Sequence, residues 1–269
     1  MQLKYRPEID GLRSLAVISV IIYHAQIYVG DKFFLTGGYL GVDIFFVISG
    51  YLISRIIISE LENNRFSFSN FYERRIRRII PALLVVILFT SILSWIYLHP
   101  SNLTDYSNTV LSVLIFSSNI FFYFSDFGYG TFESMSKPLL HTWSLGIEEQ
   151  FYIIFPIFFV FFKKYIKFDL KNVLLILIFS NLILIQFLGN LNFTKPYLDD
   201  HFQFMAPSIF SDFYLPTSRI WELLIGSYIS ICEKRIVEIK IKKFYSNIIT
   251  LVGLLLCILP MFYFDRSEE

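Results

Sequence analysis

The stretch DGLRSLAVISVIIYHAQIYV, residues 10–29, decides the kind of fold because it combines a long apolar run with ionisable side chains at helical spacing. Arg13 and His24 are eleven residues apart, which in an α-helix is three turns plus about 20°, so both side chains point the same way about 16 Å apart along the axis. Asp10 belongs to the same face. The sequence therefore predicts a membrane-spanning helix with Arg13 near one surface and His24 well inside the hydrocarbon, where ionisable groups are costly and usually functional.

The whole chain has the composition of a membrane protein. Aromatic residues make up 19% of its 269 residues and the mean hydropathy is positive, which is unlike a soluble domain. Runs long enough to cross about 30 Å of hydrocarbon recur along the chain. They lie near residues 12–29, 40–58, 79–98, 143–162, 173–189, 217–232 and 246–264, and 109–124 is ambiguous. We therefore predict an all-α fold, a polytopic transmembrane helical bundle of about 7–8 spans.

The positive charges predict the orientation of these spans. Lysines and arginines gather near residues 4–6, 74–78, 163–171 and 234–243. If all four groups are cytoplasmic, seven spans alternate, the amino terminus is cytoplasmic, and the segments 99–140 and 190–216 lie outside. This arrangement requires 109–124 to be re-entrant or interfacial. A net charge of +1 gives no reason to expect nucleic acid as a partner.

Signal-peptide, disulfide and metal interpretations are not favoured by the sequence. No small-x-small cleavage site follows the first apolar run, and its charged residues are unlike an inert signal core. Cys232 and Cys257 fall in or beside predicted spans, so we expect them to be packing residues. No His-Glu-x-x-His or comparable ligand spacing occurs, so we predict no metal site and no bound cofactor.

A glycine-rich turn follows the first span. Gly37, Gly38 and Gly41 fall within five residues, which permits a tight return to the membrane and close backbone approach to a ligand. Asp43 then opens the next apolar run. Its carboxylate is either a simple N-terminal charge favoured by the helix dipole or a functional group, and the sequence leaves both open.

Four arginines lie within residues 74–78, directly before the third apolar run. Such a cluster is most often an orientation signal, sometimes with an anionic lipid head group bound. On a helix, however, Arg74, Arg77 and Arg78 share one face and Arg75 and Arg78 share another, which suits a polyphosphate such as that of coenzyme A.

The stretch HTWSLGIEEQFY, residues 141–152, is the second chemically suggestive one. As a helix it places His141, Glu148 and Tyr152 on one stripe, with Ser144 at the edge of that stripe. Carboxylates at the mouth of a span should face protein or a wet cavity rather than lipid, so we favour a functional role here.

A third stretch, Ser218 to Gly226, carries Arg219 and Glu222 at the entrance to a span. An ion pair between residues three apart that eases insertion explains them at least as well as a direct catalytic role. His99 and His201 lie in predicted loops and are treated as surface histidines.

Together these motifs resemble membrane-bound acyltransferase family 3, whose members O-acetylate bacterial cell-surface glycans. The matching stretches are residues 5–13 with His24, 38–53, 71–81, 141–152 and the segment of Arg219 and Glu222. The resemblance implies one integral-membrane acyltransferase domain over residues 1–269, in a bacterial cytoplasmic membrane. Full members have further spans and in some cases a soluble extracytoplasmic domain. We expect a C-terminally short form without that domain.

The resemblance implies transfer of an acyl group, usually acetyl, from acyl-CoA to a hydroxyl of a cell-surface glycan such as lipopolysaccharide O-antigen. The expected partners are acetyl-CoA as donor substrate, a glycan or lipid-linked saccharide as acceptor, and membrane lipids, with self-association or association with a full-length homologue left open. By the same resemblance, His24 is the catalytic centre with Arg13 as its companion, and Arg75 and Arg78 serve the CoA end. A histidine can act there as general base or as acyl carrier, and the sequence does not separate the two.

The remaining candidates are ranked below these residues. Glu148 either orients His24 or binds a sugar hydroxyl. The expected acceptor-side, substrate-binding residues are Asp43, His141, Ser144, Arg219 and Glu222.

Two other function classes compete with the enzyme. A polytopic chain with buried arginine, histidine and glutamate can be a proton-coupled transporter, although no inverted repeat is evident in the sequence. An inactive, truncated relative that assists a full-length acyltransferase is the other alternative.

Overall fold

The computed structural model describes residues 5–30, 32–125, 137–165, 168–189, 212–238 and 242–264, and this part of the chain is almost entirely helical. Its helices and strands are α1 Pro7–His24, β1 Tyr28–Val29, β2 Lys32–Phe33, a 3₁₀ turn Gly38–Leu40, α2 Gly41–Glu62, α3 Phe68–Tyr97, α4 Pro100–Leu114, α5 Ser118–Phe124, α6 Thr142–Tyr165, α7 Leu170–Gly189, α8 Pro216–Glu238 and α9 Lys243–Tyr263. The predicted all-α fold is confirmed. The predicted outer segments fall partly on residues 126–136 and 190–211, and His201 with them, outside the described residues.

Each of the seven predicted apolar runs falls on a helix. Among the described residues, five helices are long and apolar enough to cross a membrane, namely α2, α3, α6, α7 and α9. Helices α1 and α8 have 18 and 23 residues but carry more charges, so their crossing stays a prediction. The ambiguous run 109–124 is divided between α4 and α5 at Phe116, whose φ is 54°, and neither piece is long enough to span.

The spanning helices expose apolar surface in the way that a multi-pass membrane protein requires. Only 6% of the apolar stretch of α9 and 11% of that of α7 is buried within the protein. Exposure of such large apolar faces to water would be unfavourable, whereas their exposure to lipid is not. The chain divides into two compact units, the first made of residues 1–59 and 222–269 and the second of residues 60–221.

In the first unit, α1 packs against the glycine-rich turn. A Cβ at Gly38 would lie 2.5 Å from the carbonyl oxygen of Ser19 and 2.8 Å from Cβ of Tyr23, and a Cβ at Gly41 would meet the carbonyl oxygen of Ala16. Because no side chain fits at either position, the turn needs glycine there. The structure contains the predicted tight turn, and its return to the membrane stays a prediction.

Helices α2 and α8 of the same unit meet through small residues, with their backbones in contact. A Cβ at Gly50 would collide with the Leu223 carbonyl, and a Cβ at Gly226 with the Val47 carbonyl. Ser227 Oγ donates a hydrogen bond to the Gly50 carbonyl oxygen at 3.3 Å. Small residues of this kind allow membrane helices to approach closely and gain van der Waals contact.

In the second unit, a pair of amide side chains, one of them buried, fixes the beginning of α6 against α5. Gln150 Nε2 donates hydrogen bonds to Asn119 Oδ1 at 2.8 Å and to the Phe116 carbonyl oxygen at 2.9 Å. A Cβ at Gly146 would lie 2.6 Å from Asn119 Oδ1, so the glycine makes room for this contact. These bonds hold the turn of α6 that carries Glu148 in one position.

Candidate active site

His24 is the last residue of α1, after which the chain turns through Gln26, with φ 49°, into the β1–β2 hairpin. The prediction that this helix continues to Val29 is therefore wrong, because β1 pairs with β2 instead. The His24 side chain is exposed at the end of the helix rather than enclosed in its apolar run. Its ring lies edge-on to Tyr23, with centroids 5.3 Å apart, and Tyr23 packs in turn on Tyr39.

Arg13 occupies the same helix as His24, as predicted, and its guanidinium is partly covered. The guanidinium carbon lies 5.4 Å from the centroid of the Phe45 ring, and Nη1 is 3.9 Å from Asp10 Oδ1. Asp43 stands in the first turn of α2, directly after the glycine-rich turn that packs on α1. The turn thus brings the start of α2 against the helix that ends in His24.

A second group of charges in this unit was not predicted from the sequence. Glu233 accepts hydrogen bonds from Arg6 Nη1 at 2.5 Å and from the Tyr51 hydroxyl at 2.9 Å, and Arg55 Nε lies 3.6 Å from its carboxylate. Arg6 also donates to Tyr51 and to Glu8. We call Arg6, Tyr51, Arg55 and Glu233 the Glu233 network. It joins the start of α1 to α2 and α8.

In the second unit, the arginine-bearing turns of α3 lie beside the middle of α6. The Tyr72 hydroxyl donates a hydrogen bond to the carbonyl oxygen of Ile153 at 2.9 Å, and Ile153 is halfway along α6. Three residues on, the guanidinium carbon of Arg75 lies 4.9 Å from the Tyr152 ring centroid and 5.8 Å from that of Phe71. The Arg75 guanidinium therefore packs against aromatic rings of α3 and α6.

The four arginines of the motif are used in different ways. Arg74 Nη2 lies 2.6 Å from Glu60 Oε1, and Arg77 Nη2 lies 2.7 Å from Glu73 Oε1 on its own helix. These two arginines therefore have acidic partners at the protein surface. Of the other two, Arg75 turns toward α6, whereas Arg78 is exposed.

Arg75 and Arg78 act on the paired glutamates of α6. Glu148 and Glu149 are 7% and 6% exposed, and both attract Arg75 electrostatically, while Arg75 and Arg78 attract Glu149. Yet no carboxylate in the described part of the chain lies within 4.0 Å of either guanidinium. We call Arg75, Arg78, Glu148, Glu149 and Tyr152 the Arg75 cluster.

Glu149 is the member of this cluster that sequence reasoning passed over. Its Oε1 atom is buried and has no hydrogen-bond partner among the described residues. The sequence does show two adjacent glutamates at the mouth of a span. Only Glu148 of the two lies on the predicted helical stripe, so Glu149 was not chosen.

The start of α6 differs slightly from the predicted helix. Because α6 begins at Thr142, His141 lies in the preceding turn, exposed, and only Glu148 and Tyr152 of the predicted stripe are helical. Ser144 Oγ donates to the His141 carbonyl oxygen at 3.1 Å, as serines in a first helical turn commonly do.

Arg219 lies among aromatic rings near the beginning of α8. Its guanidinium carbon is 4.4 Å from the Phe213 ring centroid and 6.0 Å from that of Trp143, which are cation–π distances. Burial raises the pKa of Asp212, which precedes the helix. Glu222 is 1% exposed and belongs to the first unit.

The sequence-predicted candidates are thus divided between the two units. The first unit contains Arg13, His24, Asp43 and Glu222, and the second contains Arg75, Arg78, His141, Ser144, Glu148 and Arg219. Within the second unit, Arg75 lies near Glu148 and Glu149, and Arg78 interacts electrostatically with Glu149. The catalytic and binding roles of all these residues stay predictions.

Over residues 6–267 the chain matches the model of the acyltransferase domain family, the family whose motifs the sequence resembles. The chain therefore belongs to this acyltransferase family. Its helices and its family both identify it as a multi-pass membrane protein.

Several curated proteins are similar to the chain. It is 42% identical over 165 residues to the peptidoglycan O-acetyltransferase of Listeria monocytogenes, covering 61% of this chain and 26% of that protein. A Staphylococcus aureus protein named as an O-acetyltransferase is 39% identical over 161 residues, or 59% of this chain and 25% of that protein. An uncharacterized protein of Haemophilus influenzae is 32% identical over 227 residues, or 84% of this chain and 88% of that protein.

The chain spans about a quarter of the length of the Listeria and Staphylococcus proteins that it matches. No solved structure matches it.

Proposed function

We propose that this chain is an integral-membrane O-acyltransferase domain that moves an acetyl group from acetyl-CoA to a hydroxyl of a bacterial cell-surface glycan. Its family and the names of two relatives support the reaction class. The observation that carries the proposal is the position of Arg75, which stacks on Tyr152 beside the two buried glutamates of α6. Buried carboxylates in a spanning helix are costly unless they serve a function.

The donor is assigned to the cytoplasmic side and the acceptor to the outer side of a bacterial cytoplasmic membrane. With the amino terminus inside, α3 enters the membrane from the cytoplasm, so Arg75 and Arg78 meet a ligand that arrives from that side. The Listeria relative is named for peptidoglycan, which makes peptidoglycan a candidate acceptor beside lipopolysaccharide O-antigen.

His24 is the proposed catalytic residue, and its exposed place at the end of α1 gives substrates access to the ring. As general base, the imidazole takes the proton of the sugar hydroxyl while the oxygen attacks the thioester carbonyl. A carbon–oxygen bond forms, the carbon–sulfur bond breaks, and the proton passes to the departing thiolate, leaving an acetyl ester and CoA. As acyl carrier, the imidazole nitrogen first displaces the thiolate and the sugar oxygen then displaces the imidazole.

The other candidates are assigned supporting roles. Arg13 assists catalysis, and Glu148 binds a substrate hydroxyl through its carboxylate. The proposed acceptor-side residues remain Asp43, His141, Ser144, Arg219 and Glu222.

Transfer of radiolabelled acetyl from acetyl-CoA into glycan tests the proposal, in vesicles that contain the unaltered chain, His24→Ala or His99→Ala. His99 is the matched control, because it is an exposed histidine whose ring, among the described residues, contacts Ser101 at the start of α4. We expect label in the unaltered chain and in His99→Ala, and no label in His24→Ala. Full transfer by an inserted His24→Ala variant would exclude His24 as the catalytic residue.

A different result would favour the other function classes. If none of the three inserted proteins transfers label, the chain does not act alone, and association with a full-length acyltransferase or transport becomes the better account. Co-purification with a full-length homologue then distinguishes the first of these from the second.

A further inference from the structure

Aromatic rings at the end of α1 form a continuous series of contacts that leads from the glycine-rich turn to the β1–β2 hairpin. The ring centroids of Tyr39 and Tyr23 are 5.6 Å apart, those of Tyr23 and Phe33 are 5.8 Å apart, and those of Phe33 and Tyr28 are 5.6 Å apart. The His24 ring joins this series through Tyr23. The hairpin and His24 therefore share a neighbour.

The pairing of the hairpin places Tyr28 on the side of the hairpin that meets α1. Tyr28 lies directly opposite Phe33, so the two side chains share one face, and Phe33 contacts Tyr23 of α1. Val29 belongs to the other face, because successive side chains of a strand alternate. Of these two exposed strand residues, only Tyr28 lies on the face that leads to His24.

The hairpin is held in a defined position, although it is short. The Phe34 amide donates a hydrogen bond to the Ile27 carbonyl oxygen at 2.8 Å, and the Phe34 ring packs on Phe262 of α9, with centroids 5.6 Å apart. Tyr28 is nevertheless 65% exposed. A ring that is already positioned and still open to contact costs little conformational entropy when a ligand binds to it.

An exposed aromatic ring of this kind suits a sugar. A hexopyranose has a face of C–H groups and a rim of hydroxyl groups, and the negatively polarised face of an aromatic ring attracts the C–H groups. Contact through that face leaves the hydroxyl groups free to reach other groups. Tyrosine is also common at membrane surfaces, where it contacts lipid. The ring contacts that lead to His24, the residue proposed to act on a sugar hydroxyl, favour the sugar.

We propose that Tyr28 binds a hexopyranose ring of the acceptor glycan by stacking, and so holds the glycan with a hydroxyl within reach of His24. This inference rests on the proposed function, since it takes His24 to be the catalytic residue and a glycan to be the acceptor. With the amino terminus inside, as proposed, α1 ends on the outer side of the membrane, where the acceptor lies. Tyr28 then selects acceptors whose sugar rings have an unhindered C–H face.

Acetyl transfer by the full chain in lipid nanodiscs tests this inference, with radiolabelled acetyl-CoA as donor and the N-acetylglucosamine tetrasaccharide as acceptor probe. The KM is measured for each substrate, and binding of the tetrasaccharide alone is measured by saturation-transfer NMR. The variants are Tyr28→Ala, Tyr28→Leu and Tyr28→Phe. Val29→Ala is the matched control, because Val29 is 64% exposed on the opposite face of the same strand.

We expect Tyr28→Ala and Tyr28→Leu to raise the KM for the tetrasaccharide and to weaken its binding by about 3- to 10-fold, the range of one ring-stacking contact. The KM for acetyl-CoA should change by less than about twofold, because the donor does not touch Tyr28. Tyr28→Phe should behave like the unaltered chain, since it keeps the ring face, and so should Val29→Ala. Thermal unfolding of each variant shows that the fold is retained.

Three results would overturn this inference while acetyl transfer by the unaltered chain still supports the proposed function. One is an unchanged tetrasaccharide KM in a folded Tyr28→Ala variant. Another is an unchanged KM in Tyr28→Leu, which would assign Tyr28 to the lipid surface. The third is an equal loss in Val29→Ala, which would assign the effect to the hairpin as a whole.

The NMR measurement separates failure of the reaction from failure of the sugar contact. Tetrasaccharide binding that depends on Tyr28, in a chain that transfers no acetyl, would support the stacking contact and contradict the proposed reaction. An unaltered chain that neither binds nor acetylates the tetrasaccharide would overturn the inference, and transfer of label to glycan in the vesicle assay would then decide the proposed function independently.

Discussion

The Glu233 network and the Arg75 cluster are built from the same residue types, arginine, glutamate and tyrosine, but their charges are arranged differently. In the Glu233 network the carboxylate touches its partners, with hydrogen bonds of 2.5 Å and 2.9 Å from Arg6 and Tyr51. In the Arg75 cluster the guanidinium groups and carboxylates attract one another without an ion pair closer than 4.0 Å among the described residues.

The difference indicates what each cluster does. A carboxylate whose oxygens already accept hydrogen bonds holds helices together. Removing one partner leaves buried polar groups without a hydrogen bond, which costs desolvation free energy. A cluster whose buried acceptor is unused has capacity for a ligand. We therefore interpret the Glu233 network as structural and the Arg75 cluster as a binding site.

The largest effect should come from the close packing of α2 on α8, two helices that the Glu233 network also joins. Gly226→Leu would force a side chain into the Val47 carbonyl and separate α2 from α8. We expect a loss of about 3 kcal/mol or more in the free energy of unfolding, and little protein in the membrane. Immunoblotting of membrane fractions measures the amount of inserted protein. Gly253→Ala is the control, since no described atom lies within 4 Å of a Cβ placed there, and equal accumulation of both variants would contradict the close packing of α2 on α8.

The next effect concerns the Arg75 cluster and should appear in activity rather than in stability. Arg75→Ala removes the guanidinium that stacks on Tyr152, and we expect acetyl transfer to fall by about 100-fold. Arg77→Ala is the matched control, because that arginine is exposed and its partner among the described residues is Glu73. Its transfer rate should stay within about twofold of the unaltered chain. Equal losses in both variants, with insertion inverted or aborted, would favour the orientation-signal interpretation of the motif.

A smaller effect is expected from the Glu233 network itself. Glu233→Gln keeps the shape of the side chain but weakens its bonds to Arg6 and Arg55, and should cost about 1–3 kcal/mol of unfolding free energy. Denaturant unfolding in detergent measures this cost. Glu8→Gln should leave the stability almost unchanged, since Glu8 is exposed at the start of α1. A Glu233→Gln variant as stable as the unaltered chain would show that the network does not hold these helices.

The smallest effect should come from Arg74→Gln. The Arg74–Glu60 pair is at the surface, with the arginine side chain 53% exposed, and such pairs contribute about 0–1 kcal/mol. We expect a slightly lower unfolding midpoint at low salt that disappears at high salt, because ions screen exposed charges. A large, salt-independent loss would assign Arg74 to the buried cluster instead.

Much of this comparison could be predicted from the sequence, because local patterns determine helices. The apolar runs predicted the helices, and the glycines predicted the tight turn before α2. The end of α1 at His24 was missed, because Tyr28 and Val29 are apolar enough to extend a span but pair in a hairpin instead.

The partners of the charges could not be predicted, because they come from distant parts of the chain. Nothing local marks Glu233 as the partner of Arg6, since the two residues meet only when α8 packs beside α1 and α2. Likewise, helical spacing places Arg75 and Arg77 on different faces but does not say which face meets another helix. Only the packing of α3 on α6 distinguishes them, by turning Arg75 toward Tyr152.

The most direct test of the account measures two properties of two variants in one preparation. CoA binding and thermal unfolding are determined for Arg75→Ala and Glu233→Gln in lipid nanodiscs, beside the unaltered chain. The account predicts that Arg75→Ala loses CoA binding while it unfolds at an unchanged temperature, and that Glu233→Gln binds CoA normally while it unfolds at a lower temperature. Normal CoA binding by Arg75→Ala, or lost binding by a stable Glu233→Gln, would contradict the distinction between a binding cluster and a structural one.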